Sequence, residues 1–195
     1  MVRVFNDWLP KEVYNYEKKK LQESSFGQVW VGDKDFHVIM PSEEMMGYVI
    51  NKLENDLKEN VEMILSFFRL ASSEKDLDWR IHSDLNINGQ RPTHAGVLYF
   101  SENKLSEGLY GTAFWSHKEY GSKLIPETTD EEYDRLLLVD ANDVNKWSLD
   151  SVISVKENRL LLYEASLFHS KYPDISWGGD EDGRMVLVMF FNLKP

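Results

Sequence analysis

Asp78-Trp79-Arg80-Ile81-His82-Ser83-Asp84-Leu85-Asn86 is the stretch from which the rest of the chain can be read. In an extended strand alternate residues share a face, so His82 and Asp84 project to one side and Ser83 to the other. An imidazole and a carboxylate then stand together. A second imidazole from elsewhere would complete a two-His-one-carboxylate set, which suits divalent iron and leaves coordination positions open. In a chain with five histidines such a spacing carries weight only through its surroundings.

Outward from this stretch, the chain after Asn60 is a series of short runs rich in β-branched and aromatic residues. They are Val61 to Leu70, Trp79 to Asn86, Thr93 to Phe100, Leu109 to Trp115, Ser151 to Val155, Arg159 to Tyr163, Ser166 to His169 and Arg184 to Asn192. Turn-forming clusters such as Asn88-Gly89, Glu107-Gly108, Glu157-Asn158 and Gly178-Gly179-Asp180 separate them. The pattern predicts a mainly β fold, a double-sheet jelly roll (double-stranded β-helix), over residues 61–192. The longest irregular piece, Ser116 to Trp147, contains a short helical pattern over Glu131 to Leu137 and is a candidate lid over the barrel mouth.

Residues 1–60 read as helical support for that barrel. Pro10 and the charged run after it place a peripheral helix within Asp7 to Leu21. Two short strands, Val29 to Asp33 and Phe36 to Met40, precede a second helix. There Ser42 is the N-cap, and Met45, Met46, Val49, Ile50, Leu53 and Leu57 recur at helical spacing as a core-facing stripe.

Composition narrows the function. A chain of 195 residues suits one domain with a sizeable core, and no repeat or linker divides it. A net charge of −11 works against binding to a nucleic-acid backbone, because that affinity comes from Lys and Arg displacing counterions. Lys18-Lys19-Lys20 reads as a solvated helix face. With no cysteine, any metal must be held by His and carboxylate side chains. No apolar run approaches the ~18 residues of a membrane span, and Met1 to Asp7 lacks the apolar stretch of a signal peptide, so a cytoplasmic protein is expected.

The ordered series His82-x-Asp84, Leu98-Tyr99-Phe100, Gly111-Thr112-Ala113-Phe114, Leu167-Phe168-His169 and Gly183-Arg184 resembles the Fe(II)/2-oxoglutarate-dependent oxygenases, above all their prolyl 4-hydroxylase-type branch. The resemblance spans about residues 60 to 192. It implies iron on His82, Asp84 and His169. It also implies 2-oxoglutarate as co-substrate, its distal carboxylate on Arg184 and Tyr99 with Thr112 as a further contact, and ascorbate as an accessory reductant. Arg184 opens an almost unbroken apolar strand, where a guanidinium needs an anion, and its planar fork matches a carboxylate. The implied reaction hydroxylates a C–H bond and releases succinate and carbon dioxide. The substrate would be a peptidyl proline or another peptide, protein or small molecule, and an acidic residue at position 84 fits hydroxylation because halogenating relatives carry a small residue there. The interval from His169 to Arg184 is lengthened by Asp174 to Asp182, which reads as a long hairpin loop.

Other readings stay open on residues alone. One is a jelly-roll binding module without activity. Another is a cupin-type metal enzyme that does not use 2-oxoglutarate and would give Arg184 no anionic partner. His117-x-Glu119 repeats the His82-x-Asp84 spacing but lies among polar residues and reads as a solvated loop, and His37 and His94 read as structural.

Overall fold

The computed structural model describes residues 1–31, 34–87, 89–102, 110–125, 127–173 and 183–194. Ten strands and three α-helices occupy these residues: β1 (Val2–Phe5), α1 (Lys11–Gln22), β2 (Gly27–Val31), β3 (Lys34–Ile39), α2 (Glu43–Leu57), β4 (Asn60–Ala71), β5 (His94–Tyr99), β6 (Gly111–His117), α3 (Asp130–Asp134), β7 (Trp147–Ser154), β8 (Leu160–Glu164), β9 (His169–Tyr172) and β10 (Arg184–Lys194). Two antiparallel sheets result, one of seven strands in the order β1-β8-β5-β10-β4-β3-β2 and one of three in the order β7-β6-β9. No described helix is long and apolar enough to cross a membrane.

Strand alternation sorts the side chains into layers. On β5, β8 and β10 the residues Leu98, Leu160, Leu162, Leu187, Met189 and Phe191 face α1 and α2, which contribute Tyr14, Leu21, Met45, Val49 and Leu53. The alternate residues, Val97, Tyr99, Leu161, Tyr163, Val186, Val188 and Phe190, face the smaller sheet and meet Phe114 of β6. Arg184 is in phase with Val186 and Val188, so β10 directs its guanidinium between the sheets. Ser42 caps α2 by accepting a bond from the Met45 amide at 3.3 Å, and the buried stripe of α2 is Met45, Val49 and Leu53. Gly111 lets β6 approach β7 closely: a Cβ there would lie 1.8 Å from the Ile153 carbonyl oxygen.

Four readings of the sequence are corrected. Trp79 to Asn86 is not a strand; it is extended chain with a single bridge, His82 to His169. Its amides are divided among different neighbours, Ile81 to Ala141 (2.9 Å), His82 to His169 (2.9 Å) and Asp84 to Ala165 (2.8 Å), so no continuous ladder forms. The strand sought at Ser166 begins only at His169, because a turn closed by the Leu167 amide on the Glu164 carbonyl links β8 to β9. Ser116 to Trp147 is no simple lid: Leu124, Leu136, Leu137 and Trp147 form a third core with Ile81, Ala113, Trp115 and Phe168 on the outer face of the smaller sheet. Finally, His117 is buried rather than solvated. Its Nε2 lies 3.3 Å from the buried Asp140 carboxylate and its ring meets Trp147 edge to face, while Glu119 bonds Arg135.

Residues 1–60 also supply a strand that the sequence pattern hid, β1, which pairs with β8 and places Val4 opposite Leu161. The proposed hairpin loop at Asp174 to Asp182 lies outside the described residues.

Candidate metal centre and anion pocket

The bridge between His82 and His169 decides the local geometry. Each residue's amide donates to the other's carbonyl, at 2.9 and 2.8 Å, and the two rings stand 4.4 Å apart. Each Nδ1 is then 2.9 Å from the carbonyl two residues earlier, His82 to Arg80 and His169 to Leu167. A carbonyl only accepts, so both Nδ1 atoms carry the proton and both Nε2 atoms point inward. They converge on Asp84: His82 Nε2 lies 3.8 Å from Oδ1 and His169 Nε2 3.2 Å from Oδ2. One ligand atom from each of His82, Asp84 and His169 falls within 4.8 Å of the others. Two neutral imidazole nitrogens and a carboxylate, each steered from behind, form a donor set that fits a divalent transition metal.

Tyr163 completes the cluster, and nothing in the sequence pointed to it. Its hydroxyl donates to Asp84 Oδ2 at 3.2 Å and lies 3.1 Å from His169 Nε2. The only sequence signal is that Tyr163 shares the strand phase of Leu161 on β8, which any core tyrosine would satisfy.

The electrostatics follow from crowding opposite charges in a dry place. Burial raises the pKa of Asp84, but the His169 and His82 charges and the Tyr163 hydrogen bond outweigh it and hold the carboxyl below its ordinary value. Burial lowers the pKa of His169, yet the Asp84 carboxylate and its hydrogen bond leave it raised. His82 is pulled down to about 4 by burial and by repulsion from His169. Burial and the Asp84 charge push Tyr163 well above the phenol range, which keeps its hydroxyl a donor.

Arg184, Tyr99 and Thr112, from β10, β5 and β6, also meet between the sheets. Tyr99 Oη is 2.7 Å from Thr112 Oγ1, Arg184 Nη2 donates to Thr112 Oγ1 at 3.4 Å, and the guanidinium lies 5.5 Å from the centre of the Tyr99 ring. All three side chains are buried, and the Arg184 charge is felt at both His169 and Tyr163, so pocket and cluster adjoin. A second group that sequence reading missed lies alongside. Buried Asp76 accepts from Arg69 (Nη2 to Oδ1, 2.7 Å) and from Lys171 (Nζ to Oδ1, 3.1 Å), and Lys171 stands opposite Thr112 in the β6–β9 pairing. Buried Lys171 and half-buried Arg69 thus share the buried Asp76 carboxylate, and the Arg184 and Asp76 charges act on one another.

No protein-family model and no curated protein matches the sequence. Solved structures do resemble the fold. SnoK, a non-heme α-ketoglutarate-dependent carbocyclase from nogalamycin biosynthesis, superposes with a TM-score of 0.63 at 11% identity, over 99% of this chain and 79% of that one. The chain has the fold of the 2-oxoglutarate-dependent iron oxygenases. HygX from Streptomyces hygroscopicus, with nickel and 2-oxoglutarate bound, matches with a TM-score of 0.55 at 12% identity, covering 97% of this chain and 81% of the other. A prolyl hydroxylase from Trichoplax adhaerens, in complex with a hypoxia-inducible-factor peptide, matches equally well (0.55, 11% identity, 97% and 82%), so the prolyl hydroxylase branch is one of several that share this architecture.

Proposed function

We propose that this chain is an Fe(II)- and 2-oxoglutarate-dependent oxygenase. The observation that carries the reading is the convergence of His82, Asp84 and His169 to within 4.8 Å beside a buried Arg184–Tyr99–Thr112 pocket. His82, Asp84 and His169 would hold the metal through one face. Arg184 would grip the distal carboxylate of 2-oxoglutarate through two parallel hydrogen bonds, with Tyr99 and Thr112 adding hydroxyl contacts. Bound iron would supply the chemistry by which dioxygen, the oxidant, puts one oxygen atom into succinate as 2-oxoglutarate loses carbon dioxide and the other into a substrate C–H bond. The chain's own part is to fix the ligands, neutralise the anion and keep water out: Phe114, Val186, Val188 and Phe190 wall the space between the sheets. The carboxylate at position 84 favours hydroxylation, with peptidyl proline as one candidate substrate.

Anaerobic titration with Fe(II) and 2-oxoglutarate tests the reading. A weak visible charge-transfer band should form, and admission of oxygen should release succinate. Iron binding without a band would favour a cupin-type enzyme that does not use 2-oxoglutarate. A chain that binds no iron would overturn the metal assignment altogether.

A further inference from the structure

The three metal ligands are not held equally. The side chains of Asp84 and His169 are only 8% and 7% exposed, whereas that of His82 is 31% exposed. Packing therefore restrains His82 least, and its ring is aimed by the bond from Nδ1 to the Arg80 carbonyl (2.9 Å). Where that carbonyl stands depends on the connection from β4 to His82. Downstream, main-chain bonds fix the connection at Ile81, His82 and Asp84. Upstream, from Ser72 to Arg80, the one main-chain bond among the described residues is local, the Ser72 amide on the Lys75 carbonyl (2.9 Å). Side chains must hold this half in place.

Asp78 does so at the surface, where it accepts from Lys34 of β3 at 3.0 Å and pairs with Arg80. Asp76 does so in the interior. It is buried and has a left-handed backbone (φ 54°), which a non-glycine residue keeps only where its surroundings impose it. Those surroundings come from both sheets. Arg69 of β4 forks onto the two carboxylate oxygens, and its guanidinium lies 4.7 Å from the centre of the Phe36 ring. Lys171 of β9 donates to the Asp76 main-chain carbonyl as well as to Oδ1 (3.1 Å). A residue gripped by side chain and main chain cannot turn without breaking a buried bond. Lys171 lies two positions after His169 and shares its face of β9, so the strand that carries one imidazole also fixes the approach to the other.

We propose that Asp76, clamped by Lys171 and Arg69, is a positioning residue for His82: it places the Arg80 carbonyl, and through it sets the direction in which His82 Nε2 points. The proposal deepens the oxygenase reading and rests on its metal assignment for its purpose, but the first measurement needs no metal. In the metal-free protein at mildly alkaline pH, imidazole nitrogen NMR should show His82 and His169 each as the Nδ1–H form. In Lys171→Met, where Asp76 keeps Arg69 as a partner, His82 should become a mixture of both neutral forms while His169 stays as it was. Co(II), titrated as an optical probe, should bind this variant about 10- to 100-fold more weakly than wild type, with an altered visible spectrum. Lys171→Arg, which can still donate to both Asp76 oxygens, should restore both readings.

Circular dichroism checks the fold. If Lys171→Met does not fold, Lys171→Gln, which keeps an N–H donor but lacks the reach for both oxygens, gives the same two readings. A folded variant with an unchanged His82 form, or with a Co(II) affinity within twofold of wild type, would overturn the assignment. So would equal disturbance of His169, which marks general loosening. The two readings fail separately. If wild type binds Co(II) and the folded variant matches it, this proposal alone is lost. If the variant disturbs His82 alone and wild type binds no Co(II), the positioning of His82 is upheld and the metal assignment is lost.

Discussion

Tyr163→Phe isolates one interaction of the cluster. The phenyl ring keeps its edge-to-face contact with Phe114 (centroids 5.3 Å apart), so packing between the sheets is retained and only the hydroxyl is lost. That hydroxyl donates to the buried Asp84 at 3.2 Å. A hydrogen bond to a charged group contributes about 1.5–3 kcal/mol, and a tenfold change in affinity corresponds to about 1.4 kcal/mol. Without the hydroxyl, Asp84 Oδ2 has His169 Nε2 as its nearest partner, already 3.2 Å away, and a proton shared there competes with a metal ion. The expectation is a 10- to 100-fold weaker affinity for Fe(II) or Ni(II), the range typical of groups that orient metal ligands from behind. Competition titration against a chelating indicator reads it, with urea denaturation checking that the fold loses no more than about 1–3 kcal/mol. Affinity for 2-oxoglutarate at saturating metal should stay unchanged, because the Arg184 pocket is untouched. A metal affinity within twofold of wild type in a folded variant would refute the view that this hydroxyl holds Asp84 for a metal.

The remaining predictions use the same site and its surroundings. Asp84→Ala and His169→Ala should each abolish stoichiometric Fe(II) binding by calorimetry, since each removes one of three ligands. Arg184→Lys keeps the charge but loses the planar fork, and should weaken 2-oxoglutarate about 10- to 100-fold in the chelate titration while metal affinity without 2-oxoglutarate stays the same. Asp76→Asn leaves half-buried Arg69 and buried Lys171 without their carboxylate and should cost about 3–5 kcal/mol in urea denaturation. The Asp76 carboxyl is held below its ordinary 3.8: burial raises it, but Arg69 and Lys171 more than compensate. A depressed carboxyl adds stability that is fully present above 3.8 and lost as pH falls towards the folded value. Wild type should therefore lose stability below pH 3.8, and the Asn variant should show a shallower acid loss.

How legible the molecule was depends on the residue. Alternation in β5 and β10 and the helical stripe of α2 are local patterns of apolar side chains, and periodicity finds them because each element buries one face. β1 escaped because its four residues are mostly exposed and pair at the sheet edge, where burial imposes no pattern. Trp79 to Asn86 looked like a strand because its side chains alternate, but its amides serve several neighbours, which alternation does not record. His117 looked solvated among polar residues until Asp140, twenty-three positions later in sequence, was folded against it.

The same division holds at the candidate site. His82, Asp84, His169, Arg184, Tyr99 and Thr112 could be named as candidates from the order of motifs that resembles the oxygenases, because their side-chain chemistry is written locally. The sequence by itself determined which residues carry imidazole, carboxylate and guanidinium groups, and, for Tyr99, Thr112 and Arg184, the strand that each belongs to. Only the tertiary structure decided that Tyr163 donates to Asp84 and that Asp76 gathers Arg69 and Lys171 beside Arg184. Those contacts join elements distant in sequence, and a buried charge reveals its partner only when the chain has closed around it.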